Sequence, residues 1–286
     1  MDLEEKILHM LESKIQSNQL MLPSMPDVFL EVKNIIDEPS SNLENIATII
    51  SRDPSLTARI LKVANNALHI GNHEITNLQQ AVSRMGLQLI KTLVTSHAIT
   101  QMFNQPKGVF KPFFDELHKH SSEVSAHAYA IAKNYSQINP DNALLAGLVH
   151  NIGYLPIDKC IESFPELEDN PELLIDVMGK VHTQVGELIL NSWFFPKDII
   201  IASVDYVDPF RIGSSTTDLT DVVIIAGLNV YRGTDHSCTT HDWSEYPAFQ
   251  KIGIKSRDEL EKLDQINPDI ENARIMLGIP VYSSIK

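Results

Sequence analysis

The sequence predicts an all-α protein, on two observations: apolar residues recur at three- and four-residue spacing almost throughout, and strict alternation at strand length is nearly absent. Helix-start signals agree with this. Asp53-Pro54, Asn139-Pro140 and Asn267-Pro268 each set a capping side chain before a proline. Proline suits the first helical position because it lacks the amide proton that a helix start leaves unbonded.

In chain order, Leu3, Ile7, Leu11 and Ile15 line one face of a first helix. Val28, Val32, Ile35 and Ile36 line a second, opening at Pro26 and ending before Pro39, and Ile46, Ile49 and Ile50 make a short third. Asp53 is expected to cap the helix from Pro54, with Leu56, Ile60 and Leu61 inward and Asn65 and Asn66 bonded to loop backbone around Gly71. Asn77 can cap LQQAVSRM, which Gly86 ends. Beyond the long central helices, the turn-rich segment 232–249 separates the helical body from two last short helices, and Ser256 with Glu259 forms a capping box for the helix after Gly253. His236 and His241 fall in that turn-rich segment and are assigned no role, since loop histidines are ordinarily solvated.

With 286 residues, 43% of them hydrophobic, the chain can bury the core of one large or two modest domains. No run approaches the roughly 18 apolar residues of a membrane span, and MDLEEKILHM reads as a charged amphipathic helix, so a cytoplasmic protein with no membrane partner is expected. A net charge of −14 repels phosphate, which removes nucleic acid as an expected partner. Cys160 and Cys238 are far apart and lack CxxC spacing, so neither a disulfide framework nor a thiolate zinc site is expected and both are read as inert.

Three consecutive central helices each turn histidine toward the core. Downstream of Pro112, His120, Val124, His127 and Ile131 share a face; next, Ala143, Ala146, Gly147 and His150 do so, on small residues that admit a neighbouring backbone; then Met178, His182, Val185 and Ile189. Clustered imidazoles suit zinc, iron, nickel or copper, whereas phosphate cleavage also needs carboxylates to bridge ions and activate water. His150 is followed by Asn151, whose amide oxygen brings no charge to a cation and cannot act as a base.

The strings LPSMPDVFLEV (22–32), ISRDPSLTARILKVANNALHIG (50–71), ITNLQQAVSRMGLQLIKTLV (75–94), HSSEVSAHAYAIA (120–132), AGLVHNIG (146–153) and HTQVGELIL (182–190) resemble the HDOD domain, a relative of the HD phosphohydrolases. The resemblance covers roughly 15–235 and implies two packed helical lobes, 15–105 and an HD-like 106–235, with 236–286 a C-terminal loop and short helices packing on the body. It implies a degenerate metal site on the second lobe. His120 matches the first ligand of the HD pattern, His150 the second and His182 a third histidine, while Asn151 stands where the Asp belongs. Asp205-Tyr206 occupies the place of the paired histidines of an HD-GYP phosphodiesterase, and Gly227 that of the closing Asp. Asp221, six residues earlier, is rotated about 240° from Gly227 and cannot replace it. GYLP at 153–156 lacks the partners of a GYP signature.

With the acids mostly lost, the resemblance implies a non-catalytic signalling module, a docking or sensing scaffold in bacterial signal transduction. A metal-dependent phosphohydrolase on a nucleotide or cyclic dinucleotide stays open as the alternative, with Asp205 or Asp208 supplying the carboxylate, as does a structural assembly subunit. No cofactor is required on the first reading; a divalent transition metal (Fe, Mn, Zn or Ni) would be held at low affinity by His120, His150 and His182. The partner is an unidentified signalling protein, contacted through Arg52, Arg59 and Lys62 of the first lobe, and a homo-oligomer stays open.

Overall fold

The computed structural model describes residues 3–17, 19–37, 43–66, 74–106, 108–156, 164 and 169–279. Among them it has twelve α-helices and no strand, and no helix is long and apolar enough to cross a membrane. Pro39, Gly71 and Cys160 lie outside the described residues.

The first lobe is α2 (Asp27–Asp37), α3 (Leu43–Ile50), α4 (Pro54–Ala64) and α5 (Leu78–Phe103), which pack on one another. Asp53 Oδ1 accepts the amides of Ser55 (2.9 Å) and Leu56 (3.0 Å), and Asn77 Oδ1 accepts that of Gln80 (2.9 Å), so both starts form as the sequence predicts. Burial pushes the Asp53 carboxyl up, but the Ser55 hydroxyl, the Leu56 amide and His97 together hold it down at about 2. Gly86, at φ +78°, breaks the axis of α5, after which a second helical run continues directly to Phe103. Asn65 does bond loop backbone, at Ile75: its Nδ2 donates to Ile75 O (2.8 Å) and its Oδ1 accepts the Ile75 amide (2.8 Å). Asn66 Nδ2 donates to Asn272 Oδ1, at 2.6 Å, while the backbone around Gly71 expected to bond it lies outside the described residues. Leu61 is half-buried rather than inward.

The second lobe is α6 (Lys111–Tyr135), α7 (Pro140–Val149), α8 (Pro171–Ser192), α9 (Lys197–Asp205) and α10 (Leu219–Val230). Helix α1 (Leu3–Gln16) packs against α8, burying Ile7 and Leu11. Asn139 caps α7 through the Asp141 amide, at 2.8 Å. The small face of α7 allows the approach it promised: a Cβ on Gly147 would lie 2.7 Å from Ser125 Cα of α6. After α11 (Pro247–Lys251), the 3-10 helix Arg257–Ile266 runs without interruption into α12 (Asn267–Leu277), which packs on α6 and also touches α4 and α5.

Three further local expectations fail. Asn267 has helical φ and ψ because the preceding 3-10 helix feeds α12 directly, so it caps nothing. The Ser256–Glu259 box does not form, since Glu259 Oε2 accepts the Lys255 amide (2.6 Å) and the Ser256 side chain makes no capping bond. A reciprocal box forms instead at α10, between Asp218 and Asp221.

The third correction concerns the basic surface. Arg59 is buried, three residues after Leu56 and hence on the inward side of α4; its Nε donates to Met276 O (2.6 Å) and its NH2 to Ser96 Oγ (2.8 Å). The guanidinium thus caps the carboxyl end of α12, where unbonded carbonyls favour a cation. Arg52 and Lys62 are exposed as expected, Arg52 paired with Glu31 at 2.7 Å. Arg59→Ala leaves Met276 O and Ser96 without their buried donor and is expected to cost about 2–4 kcal/mol, whereas Arg52→Glu with Lys62→Glu should cost under about 1 kcal/mol. Urea unfolding of the two variants against the parent measures the difference, and equal losses would remove Arg59 from the structural role assigned to it.

Candidate functional site

Two glycine contacts set the geometry of the second lobe. Gly147 seats α7 on α6, and a Cβ on Gly153 would stand 1.8 Å from the carbonyl oxygen of His182, so only glycine lets the 3-10 turn Ile152–Tyr154 lie on α8. Between these contacts His150 and Asn151 leave the end of α7 and meet His120 of α6 and His182 of α8. The His120 and His150 ring centroids are 5.5 Å apart; that of Tyr206, just after α9, is 4.8 Å from His150 and 6.1 Å from His182. His150, Asn151 and His182 are all buried. His120, His150, Asn151 and His182 therefore converge as the resemblance implies, and Tyr206 completes the group.

The hydrogen bonds assign the ring nitrogens. His150 Nδ1–H donates to Gly147 O (2.7 Å), which leaves Nε2 to accept from Asn151 Nδ2–H (2.8 Å). His182 Nδ1–H likewise donates to Gly179 O (2.8 Å), leaving its Nε2 to face the Tyr206 hydroxyl at 2.8 Å. That hydroxyl also lies 2.8 Å from Asn151 Oδ1, so one proton serves two acceptors. His120 Nδ1 lies 3.2 Å from the Tyr231 hydroxyl, and its ring stacks on Tyr231, which stacks in turn on His236 at 3.8 Å. His127, the other inward histidine of α6, pairs apart from this centre with Asn229 Nδ2, at 2.9 Å.

The acids stay outside. Asp205 is exposed and faces Arg211 at 3.9 Å, because Ile199, Ala202 and Tyr206 take the buried side of α9. Asp208 is exposed and accepts the Phe210 amide (3.0 Å). Asp221 is fully buried but paired with Lys251 (2.8 Å) and Arg211 (3.3 Å), on a different side of α10 from Gly227. Among the described residues, no group of three or more His, Cys, Asp or Glu is placed to hold a metal ion.

Burial pushes every histidine here down: His150 to about 3, with His120 adding to it against the Gly147 bond, and His120 to about 4, with His236 adding. His182 is lowered by burial against the pull of its Gly179 bond, and Tyr206 is raised, again chiefly by burial. The centre is a neutral, hydrogen-bonded assembly.

Elsewhere, two features resemble sites without forming one. Ser55, His97 and Asp53 meet in the first lobe, but Ser55 Oγ (3.3 Å) and Asp53 Oδ2 (3.1 Å) approach the same ring nitrogen, so the imidazole cannot relay a proton between them. A cleft of about 350 Å³ between the lobes, carrying Lys33 and Lys91, shares no lining residue with the histidine centre. The cavity that does reach the centre, of about 270 Å³, opens onto His120, His150, Tyr206 and Gly227.

A two-lobed helical fold whose second lobe brings together histidines from the middle of α6, the end of α7 and the middle of α8 defines a domain of the HD-like class. The chain belongs to the HDOD domain family, whose model matches residues 22–208. It is similar over 96% of its length, and 99% of the other chain, to the crystal structure of a Shewanella amazonensis protein provisionally named a metal-dependent phosphohydrolase, with 27% identity and a TM-score of 0.79. An HDOD domain protein of unknown function from Geobacter sulfurreducens matches at 22% identity and a TM-score of 0.63, over 96% of this chain and 98% of that one, which shows the fold. An uncharacterized protein of Treponema pallidum is 25% identical over 193 residues, 63% of this chain; the match spans only 36% of that relative's length.

Because His120, His127 and His150 titrate at about 4, 3 and 3 in the fold against 6.5 as free groups, the unfolded chain binds more protons below about pH 6.5. Their contribution to stability is complete above that pH and is lost as pH falls toward the folded values, by up to about 1.4 kcal/mol per pH unit for each histidine. The urea midpoint is expected to fall between pH 7 and pH 5; a constant midpoint over that range would contradict the neutral, buried state of these rings.

Proposed function

We propose that the chain is a non-catalytic HDOD signalling module, acting through an unidentified signalling protein rather than by turning over a substrate. One observation carries this reading: the ring nitrogens of His150 and His182 that would face a metal are occupied by Asn151 Nδ2–H and the Tyr206 hydroxyl, while no carboxylate enters the group. A donor set of neutral imidazoles already hydrogen-bonded to each other's neighbours does not fit a hard divalent ion, and nothing in it can act as a carboxylate base toward water. No cofactor is required by this reading. The chain passes from Tyr206 directly into a segment in which Val207, Phe210 and Ile212 are 55%, 60% and 78% exposed, so a partner seated near the centre would meet apolar side chains; Arg52 and Lys62 remain available on the first lobe.

The name of the Shewanella neighbour favours a second reading, a metal-dependent phosphohydrolase on a nucleotide or cyclic dinucleotide. With Mn²⁺, bis(4-nitrophenyl) phosphate and cyclic dinucleotides are expected to be hydrolysed at the buffer rate, and turnover abolished by His150→Ala would establish the second reading instead. Asn151→Asp replaces the amide donor on His150 with a charged oxygen ligand, so it is expected to raise Mn²⁺ affinity by about tenfold or more in calorimetry. Unchanged affinity would show that the imidazoles cannot be recruited to a metal even when their donor is removed.

A further inference from the structure

Gly227 sits inside α10 with nothing to explain it locally. Its backbone is not left-handed, and a Cβ added there would meet no atom within 4 Å, in contrast to Gly147 and Gly153, which close contacts demand. A glycine in a helix interior costs about 1 kcal/mol relative to alanine. What its missing side chain leaves is the cavity of about 270 Å³ above the histidine centre. The walls are apolar, with Val124, Val207, Pro209, Val223, Ile224 and Leu228, and the remaining surface is largely aromatic, with His120, His150, Tyr206 and Tyr231. Among the described residues, no Asp, Glu, Lys or Arg lines it.

These features define what can bind. A dry apolar cavity of about 150 Å³ accepts benzene, so this one has room for two fused rings. Ring faces already stack in sequence from His236 through Tyr231 to His120, and a planar ligand continues that arrangement. An anion finds no lysine or arginine among the described lining residues, and the chain carries a net charge of −14. His120 turns its Nδ1 to the Tyr231 hydroxyl, so its Nε2 is the ring nitrogen left to anchor a ligand, with His236 and Cys238 the other polar side chains at the rim.

We propose that the cavity over Gly227 is a binding site for an uncharged, planar, bicyclic aromatic small molecule. The proposal rests on the reading of the centre as hydrogen-bonded rather than metal-bearing, and it assigns the signalling module an input: a ligand there touches Tyr206 and Val207 at once, joining the buried network to the exposed segment 207–212.

Calorimetric titration of the full chain with indole tests this, with phenyl phosphate as the anionic counterpart. Indole is expected to bind saturably and phenyl phosphate not to bind. Gly227→Leu, which extends a side chain into the empty space, is expected to weaken indole by about tenfold or more while leaving the thermal midpoint near that of the parent. Gly227→Ala, the milder change and a better helix former, serves should the leucine variant fail to fold, and is expected to weaken indole by a smaller factor. Absence of saturable indole binding, binding unaltered by both substitutions, or tighter binding of phenyl phosphate than of indole would each overturn the proposal. Hydrolysis in Mn²⁺ with intact indole binding would remove the non-catalytic reading alone, so the two failures are distinguishable.

Discussion

The contact of Gly153 with α8 governs the second lobe. A methyl on that residue would overlap the carbonyl of His182, and with Gly147 pressed against Ser125 the segment from α7 to the following 3-10 turn is fixed between α6 and α8. His150 and Asn151 occupy the short stretch between these glycines, so their side chains have little freedom to point anywhere but into the group formed by His120, His182 and Tyr206. Backbone proximity of this kind, rather than any attraction among the polar side chains, positions the centre. The polar side chains, largely removed from solvent, then satisfy one another.

Charge is distributed on the same principle. Where ions are buried they are bound to structural duty: Asp221 to Lys251 and Arg211 beneath α10, and Arg59 to the carboxyl end of α12. Helix α12 reaches both lobes through Arg59 and Asn66 on one side and through Glu123–Arg274 and Lys133–Asp269 on α6, which ties the C-terminal segment to the whole body. The histidine centre holds no such pair. Its rings are kept neutral by burial, and its single phenolic proton is divided between His182 Nε2 and Asn151 Oδ1.

A centre built of histidines with no carboxylate among the described residues near it has a definite physical character. The imidazoles still pack, stack and hydrogen-bond, which requires no charge, whereas metal-assisted hydrolysis requires anionic oxygens that Asn151 and Gly227 do not provide. The space left at Gly227 has a largely apolar lining, which suits the recognition role proposed above.

Much of this was legible in the sequence because it depends on short-range spacing. The all-α class follows from the helical period. The caps at Asp53, Asn77 and Asn139 follow from side chains that reach amides two or three residues away. The convergence of His120, His150, Asn151 and His182 came from the family motifs, and the inward face of each helix agreed with it. The burial of Arg59, three residues from Leu56, and the inward side taken by the half-buried Tyr206, seven from Ile199, were also available in that period; charge in the first case and the adjacent Asp205 in the second drew the expectation elsewhere. Tertiary structure alone decided the rest. Asn267 lost its cap because a preceding 3-10 helix arrived in line with α12, and Glu259 met Lys255 in place of Ser256. Which nitrogen donates and which accepts, and whether a missing side chain at Gly227 is filled by a neighbour or left as a cavity, depend on atoms brought together from helices far apart in the chain, and no local spacing encodes those distances.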